Sequence, residues 1–329
     1  MKILVTGGAG YIGGFMGSAL LDANHEVVVI DNLEKSTRDN IDSRATFEQG
    51  DFGDPIFLDK LFSNHNFDGI IHFGGFIAMG ESMEKPFEYF NNNFSKTLQL
   101  IEKTRVNNIK NFIFSSSAGV YGNPEKVPIA ESHPKRPENP YGESKVMVER
   151  LLHWYHTIYN MSFVSLRYFN ACGAALDGSR GEAHNPETHL IPNAINSLLT
   201  NQKFHLYGTD YKTKDGTCVR DYIHVLDLVQ AHLLAIVKIS QKPGSYIYNV
   251  GTGDGYSNRE VLDMVEKISK QSLDIVEEQR RPGDADELVA DVTKITNELN
   301  FTPKYSDLET IVTSAWKWHS GNEKLKMES

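Results

Sequence analysis

Long apolar runs are missing from this chain of 329 residues, and cysteine is nearly so. No window approaches the roughly 20 apolar residues that span a bilayer, so no transmembrane helix is expected. The opening apolar stretch, Ile3-Leu4-Val5, is far too short for the core of a secretory signal, and the protein is expected to stay in the cytosol. Net positive charge is lacking as well. The formal charge of −10 argues against nucleic acid as a general partner, because that needs a basic face. There is no low-complexity tract and no repeat at solenoid or propeller periods. Neither of the two cysteines, Cys172 and Cys218, has a CxxC or Cys/His neighbourhood, so no zinc and no other metal is expected. Two reduced thiols are the simple reading for a cytosolic chain.

What the first half does have is a rhythm. Ile3-Leu4-Val5, Val27-Val28-Val29-Ile30, Ile70-Ile71-His72-Phe73, Phe112-Ile113-Phe114 and Phe163-Val164-Ser165-Leu166 are each about strand length. The stretches between them can hold helices, the first ending near Ala23. Such alternation predicts βαβ units and a parallel sheet buried on both faces. After about Ala171 the texture changes. Residues 172–188 and 205–222 look loop-rich, helical patterns return near 190–200, 225–239, 257–269 and 307–318, and Ser245–Val250 reads as another strand. The expected division is a nucleotide-binding domain over 1–171, to which 219–250 returns, and a smaller domain over 172–218 and 251–329.

Residues 6–13 read Thr-Gly-Gly-Ala-Gly-Tyr-Ile-Gly, directly after a predicted strand and opening a predicted helix. Gly7, Gly10 and Gly13 stand three apart, and Gly8, Gly10 and Gly13 also satisfy GxGxxG. A dinucleotide needs this context. The turn needs glycine, the backbone must approach the pyrophosphate, and the amides of Tyr11, Ile12 and Gly13 open the helix with positive partial charge. Without a ligand, the same run is a tight strand-to-helix turn. Asp31, 18 residues after Gly13, ends the second apolar run, where a carboxylate can accept from the adenosine ribose hydroxyls and repel a 2′-phosphate. The combination points to NAD rather than NADP. Asp51 either meets the adenine amino group or simply forms a turn.

Tyr141 and Lys145 lie four residues apart in Pro-Tyr-Gly-Glu-Ser-Lys, with Pro140 suited to a helix start. That spacing puts phenol and ammonium on one helix face. A free tyrosine, with a pKa of about 10, is a poor base at neutral pH. A nearby cation favours the phenolate, so the pair can do what tyrosine alone cannot. YxxxK is common by chance as a surface pair. The run from Phe114 to Gly122, Phe-Ser-Ser-Ser-Ala-Gly-Val-Tyr-Gly, adds weight, because it begins at a predicted strand end, where ligands bind in open α/β sheets. Ser117 there can hydrogen-bond a substrate hydroxyl, or serve only as a loop or N-cap serine.

Thr-Gly-Gly-Ala-Gly-Tyr-Ile-Gly, Ser-Ser-Ser-Ala-Gly-Val-Tyr-Gly, Pro-Tyr-Gly-Glu-Ser-Lys and Arg167-Tyr168-Phe169-Asn170 together resemble the extended short-chain dehydrogenase/reductase family. Asp31-Asn32-Leu33, Gly80-Glu81-Ser82, the run from Asp215 to Val225 and Arg280-Arg281-Pro282-Gly283-Asp284 narrow the resemblance to its UDP-glucose 4-epimerases, from Met1 to about Phe301. The resemblance implies a Rossmann-type doubly wound parallel sheet with a smaller, irregular α/β C-terminal substrate domain. It implies tightly held NAD, a UDP-sugar as small-molecule substrate, inversion at C4 through a 4-keto sugar, and a homodimer joined through helices after about Pro86 and Tyr141. Tyr141 would take the 4-hydroxyl proton, Lys145 would hold the nicotinamide ribose and tune Tyr141, and Ser117 would bind the 4-oxygen. Asn32, Phe52, Phe73, Asn92 and Tyr168 would line the cofactor pocket. Asn170, Arg220 and Arg281 would meet the diphosphate, Asp284 the UDP ribose, Tyr207 the uracil, and His189 and Leu190 the wall of the same pocket. Read without the resemblance, Arg220-Asp221 is a local ion pair and Arg281 a solvated surface charge.

Three positions depart from the family pattern. Ile77 stands where several members have lysine near the cofactor, and Gly119 where some have threonine. Leu288 stands where some have tyrosine and others cysteine, which leaves the accepted sugars open. The 4,6-dehydratases of the same scaffold carry an Asp-Glu pair where this chain has Ala118-Gly119, so elimination of water is disfavoured. A 4-epimerase of UDP-N-acetylglucosamine or UDP-xylose differs only in the sugar pocket. A non-catalytic dinucleotide binder would have no need of Tyr141, Lys145 and Ser117 together.

Overall fold

A computed structural model describes residues 1–281 and 283–321; Pro282 of the Arg-Arg-Pro-Gly-Asp run and residues 322–329 of the expected second domain lie outside the described residues. The predicted apolar runs become strands: β1 (Lys2–Thr6), β2 (Glu26–Asp31), β4 (Gly69–His72), β5 (Asn111–Ser117), β6 (Ser162–Tyr168) and β7 (Ser245–Val250). One strand was not legible in the sequence. β3 (Thr46–Gln49) is a partly exposed edge with no apolar run to announce it. All seven pair in parallel in the order β7-β6-β5-β4-β1-β2-β3. The order reverses between β1 and β4, and the crevice beyond the carboxyl ends of those strands is where such sheets take ligands.

Because successive side chains on a strand point to opposite faces, each apolar run feeds two cores. Ile3, Val5, Val27, Val29, Ile71, Ile113 and Val164 face α1 (Tyr11–Asp22) and the helix Val225–Gln241. Leu4, Val28, Ile30, Ile70, Phe112 and Phe114 face the other way, onto α2 (Pro55–Asn64), α3 (Lys96–Val106) and α4 (Pro140–Tyr159). A sheet covered on both faces is why its strands read as unbroken apolar runs rather than alternating ones.

A third core gathers α5 (Leu190–Thr200), α7 (Asn258–Ser269) and α8 (Leu308–Gly321) around Phe204, Leu206 and Tyr222; Val225–Gln241 is α6. The stretch 205–222, expected to be loop, contributes short strands here. Phe204–Tyr207 pairs in parallel with Ile275–Glu278, and Val219–Arg220 lies between Tyr256–Ser257 and Glu287–Leu288. Two- to four-residue strands are too short to show a period, so only tertiary pairing reveals them. Residues 293–301 also differ from the expected division. Ile295, Leu299 and Phe301 pack into the first sheet core rather than the third. Both cysteines are buried and free.

Candidate active site

The glycine run takes the conformation its spacing predicts, and the structure decides which glycines matter. Gly7 has φ +67°, and a Cβ there would lie 2.7 Å from the Gly74 amide nitrogen. A Cβ on Gly13 would lie 2.2 Å from the Gly7 carbonyl oxygen. The first glycine makes the turn and the third lets helix and loop close up. Gly10 is different. A Cβ there meets only the Gly7 oxygen, at 3.3 Å, so its other side is open. It is also the N-cap of α1 and brings no capping side chain, which leaves the first-turn amides to an anion. These features fit the pyrophosphate of a dinucleotide.

Asp31 sits at the same place, at the end of β2. Its Oδ2 accepts from the Ala9 amide at 3.0 Å, and its Oδ1 accepts from the Leu33 amide and the Ser36 hydroxyl, both at 2.9 Å. The carboxylate is therefore oriented beside the glycine loop. Asp51 is engaged otherwise. It accepts from the Gly53 amide at 2.7 Å and pairs with Lys96 at 2.5 Å, so the structure shows its turn-forming role and a cation on its other oxygen. Phe52 lies edge-on to His72, and Phe73 lies 4.9 Å from the buried ring of His232. The Tyr168 hydroxyl is bonded to His232, so it is the ring and not the hydroxyl that is left for a ligand. Asn92 is buried and donates to Asn93, whose side chain holds both the amide and the carbonyl of Phe76. Asn32 turns outward, where its Oδ1 accepts from the Glu34 amide. Ile77 is exposed.

α4 starts as the sequence predicts. Asn139 is the N-cap, accepting from the Gly142 amide at 2.8 Å, and Pro140 occupies the first turn. The helix thereby sets Tyr141 and Lys145 on one buried face, opposite Ser117 at the end of β5. Lys145 donates to the Ser115 carbonyl at 2.8 Å, and its ammonium stands 5.7 Å from the centre of the Tyr141 ring. Burial pushes the Lys145 ammonium down to about 8. The phenol of Tyr141 goes the other way from the expected tuning. Burial pushes it up, and the Ser117 hydroxyl only partly opposes that. In the chain alone, desolvation outweighs the bond to Ser117. Gly119 faces the same spot, since a Cβ there would lie 3.4 Å from Ser117 Oγ and 3.6 Å from the Tyr141 ring.

A network behind these three residues was not legible in the sequence. Glu149, one helical turn past Lys145, accepts from Ser116 Oγ at 2.7 Å and from Arg167 at 2.8 and 2.6 Å. Arg167 also donates to the Tyr121 hydroxyl, which in turn donates to Asn249. The signal available was a third polar residue in the 141, 145, 149 series on an otherwise apolar helix face.

A second group of expected residues converges at the other lobe. Arg220 donates to the Ala285 carbonyl at 2.9 Å and stands 3.8 Å from Asp284, so the local ion pair with Asp221 does not form. Asp221 instead accepts from the Thr252, Gly253 and Ala290 amides. Arg281 is not simply solvated either. Its guanidinium covers one face of Tyr207 at 4.1 Å. Asn170 donates to the Asp221 carbonyl at 2.9 Å, which places it beside Arg220. Leu288 pairs with Arg220 in the strand register and packs against the cluster that contains Ala118. His189 caps α5, and its ring is bonded to Glu182, while Leu190 packs toward the third core.

The arrangement is matched by known proteins. The profile of the NAD dependent epimerase/dehydratase family matches residues 3–251. The chain is 44% identical, over 98% of both sequences, to a protein of Lacticaseibacillus casei described as UDP-glucose 4-epimerase. The fold is similar to a UDP-glucose 4-epimerase from Brucella ovis solved in complex with NAD, with TM-score 0.93, 39% identity and coverage of 96% and 97%. It is also similar to one from Bifidobacterium longum in complex with NAD+ and UDP, with TM-score 0.92, 36% identity and coverage of 98% and 99%.

Proposed function

The chain belongs to the NAD dependent epimerase/dehydratase family, and within it we propose that it is an NAD-dependent UDP-glucose 4-epimerase, interconverting UDP-galactose and UDP-glucose. The observation that carries this reading is the convergence of Ser117, Tyr141 and Lys145 at the strand end next to the glycine loop.

We assign the residues as follows. The loop of Gly7, Gly10 and Gly13, with Asp31, holds the dinucleotide, which when bound supplies a reversible hydride acceptor and so lets the sugar pass through its 4-keto form. Tyr141 removes the 4-hydroxyl proton and returns it after the sugar has turned over. A buried phenol with a raised pKa is a poor base alone, so it is the neighbouring Lys145 ammonium, together with positive charge brought by the oxidised cofactor, that makes phenolate accessible. Ser117 hydrogen-bonds the 4-oxygen and keeps it within reach of Tyr141. Arg220 and Arg281 take the diphosphate, for which a planar guanidinium offers two parallel donors. Asp284 takes the ribose, and Tyr207 offers the uracil the face that Arg281 leaves open.

We assign residues 1–171 with 219–250 to NAD and 172–218 with 251–329 to the UDP-sugar, except that Ile295, Leu299 and Phe301 pack with the sheet of the NAD lobe. No described helix is long and apolar enough to cross a membrane. We place the enzyme in the cytosol as a homodimer; exposed Phe87, Trp154 and Ile158, near Pro86 and on α4, support that pairing. Leu288 keeps a second reading in play, a 4-epimerase of UDP-N-acetylglucosamine or UDP-xylose.

The test is an assay on purified protein without added NAD, offering UDP-galactose, UDP-N-acetylgalactosamine and UDP-xylose separately and resolving products by chromatography. UDP-glucose formed from UDP-galactose, and lost in Tyr141→Phe, is the expected result. Turnover of only the N-acetylated sugar or the pentose keeps the mechanism and changes the substrate. No product from any of the three, with NAD shown to be bound, overturns the epimerase reading.

A further inference from the structure

The segment between β6 and α5 holds a second cluster, of which only His189 has an expected place near the substrate, at the wall of the uracil pocket. Glu182, His184, Glu187 and His189 fall within eight positions, and their side chains converge, with His189 the most exposed of the four. One ligand atom from each lies within 4.8 Å of all the others. His184 Nδ1 is 3.0 Å from Glu182 Oε1 and 3.9 Å from Glu187 Oε1. His189 Nδ1 is 2.5 Å from Glu182 Oε1 and 3.7 Å from Glu187 Oε1. A tetrahedron of N and O ligands around a zinc-sized ion, with bonds of about 2.0–2.2 Å, has edges of about 3.3–3.6 Å. The four His–Glu separations lie on both sides of that length.

Two features separate this set from an ordinary ion-pair cluster. The carboxylates of Glu182 and Glu187 are both almost fully buried and lie side by side, with side-chain exposures of 4% and 8%. One protonated imidazole would leave a net negative charge there, and a buried charge without a counterpart is costly. The second feature is His184 Nδ1. It is enclosed and has no hydrogen-bond partner, despite lying so close to Glu182. A ring nitrogen enclosed 3.0 Å from one carboxylate and 3.9 Å from another, with no well-directed hydrogen bond to either, is placed where a ligand atom would stand.

We propose that Glu182, His184, Glu187 and His189 bind one divalent transition-metal ion of the zinc class, through His184 Nδ1, His189 Nδ1 and one oxygen of each carboxylate. Two neutral imidazoles and two carboxylates balance the charge of a divalent ion, and the mixed N/O set suits zinc, whereas calcium and magnesium prefer all-oxygen sets. Four protein ligands close the coordination sphere, so the ion is structural rather than catalytic. Its position explains its use. Upstream, the same segment is tied to α1 by Tyr11, which donates to the Gly173 carbonyl, and by Arg180, which donates to the Gly14 carbonyl and covers Phe15. Trp318 of α8 donates to the Glu182 carbonyl. The ion fastens the remaining stretch to the start of α5 and so joins the glycine-loop helix to the second lobe. A reading of the sequence centred on the cysteines passes over this set.

The test is metal binding by the full-length protein as purified, after removal of weakly held metal and re-equilibration with zinc chloride. Mass-spectrometric metal analysis is expected to give one zinc per chain, and the zinc absorption edge is expected to show only N/O neighbours. The ion should be lost in His184→Ala and in the near-isosteric Glu187→Gln, with circular dichroism reporting whether each is folded. Zinc should raise the thermal midpoint of the parent and not of Glu187→Gln. Less than about a tenth of an equivalent on the parent, zinc unchanged in both variants, or sulfur in the coordination sphere overturns the proposal. None of these readouts depends on epimerase activity.

Discussion

Arg167 and Glu149 form a two-point ion pair, 2.8 and 2.6 Å, with both side chains almost wholly withdrawn from water. Arg167 belongs to β6 and Glu149 to α4, and Glu149 also holds Ser116, the neighbour of Ser117. The pair therefore locks the helix face that carries Tyr141 and Lys145 onto the strand end that carries Ser117. Arg167→Met leaves Glu149 a buried, half-paired carboxylate and is expected to cost roughly 3–5 kcal/mol of stability. The measurement is urea denaturation. A loss under 1 kcal/mol would show that the carboxylate finds another partner. In the folded fraction, kcat is expected to fall more than KM changes, since the pair positions the reacting groups without touching substrate.

Lys145 gives a prediction in which stability and activity move apart. Its pKa in the folded chain is lowered to about 8 by burial, below the value near 10.4 of an exposed lysine. Between those two values the unfolded chain binds more protons, so this group makes stability rise with pH from about 8 to about 10.4. Below pH 8 burying the cation is a penalty. Lys145→Met is therefore expected to be no less stable than the parent at pH 7, with the thermal-midpoint advantage shrinking as pH rises through that window. Its turnover should nevertheless drop by about 10²–10⁴-fold, the usual range for a lost acid–base contribution. A variant clearly less stable at pH 7 would mean that the bond to the Ser115 carbonyl outweighs desolvation.

Gly13→Ala tests the cofactor loop. Its Cβ would stand 2.2 Å from the Gly7 oxygen, a backbone atom that cannot swing aside. The loop must open, at a cost of order 1–3 kcal/mol for strained backbone, which is about 10–100-fold in NAD affinity. NAD retained per chain after gel filtration is the readout. A Cβ on Gly10 meets one atom in the free chain, the Gly7 oxygen at a tight 3.3 Å, so Gly10→Ala should cost less stability than Gly13→Ala while its NAD content falls. Equal NAD in parent and both variants would remove the pyrophosphate from this loop.

Leu288 faces the junction of the two lobes, paired in register with Arg220 and packed toward Ala118. Leu288→Tyr is expected to depress turnover of N-acetylated UDP-sugars relative to UDP-galactose, and Leu288→Ala to raise it. A change of one to a few methylene-sized groups in a pocket is worth about 10–200-fold in kcat/KM. Paired kcat/KM values on the two substrates decide it. An unchanged ratio in both variants would place the N-acetyl group elsewhere.

The strands of the main sheet were legible in the sequence to the extent that burial wrote them there. Strands covered on both faces must be apolar throughout, and six of the seven were visible for that reason. β3 is a partly exposed edge and carried no such mark. Likewise the short strands at Tyr256–Ser257, Val219–Arg220 and Glu287–Leu288 form only because distant segments pair.

The sequence by itself determined the glycine loop, the Asp31 carboxylate and the four-residue step from Tyr141 to Lys145, because each is a local geometry set by φ, helix period or strand end. Tertiary structure alone decided what surrounds them. Burial reversed the expected tuning of the free Tyr141 phenol, and Lys96 and the Gly53 amide took the oxygens of Asp51. Arg167, Glu149 and Ser116 met from three different elements. Desolvation and long-range pairing depend on what packs against a group, and no spacing within one segment encodes that.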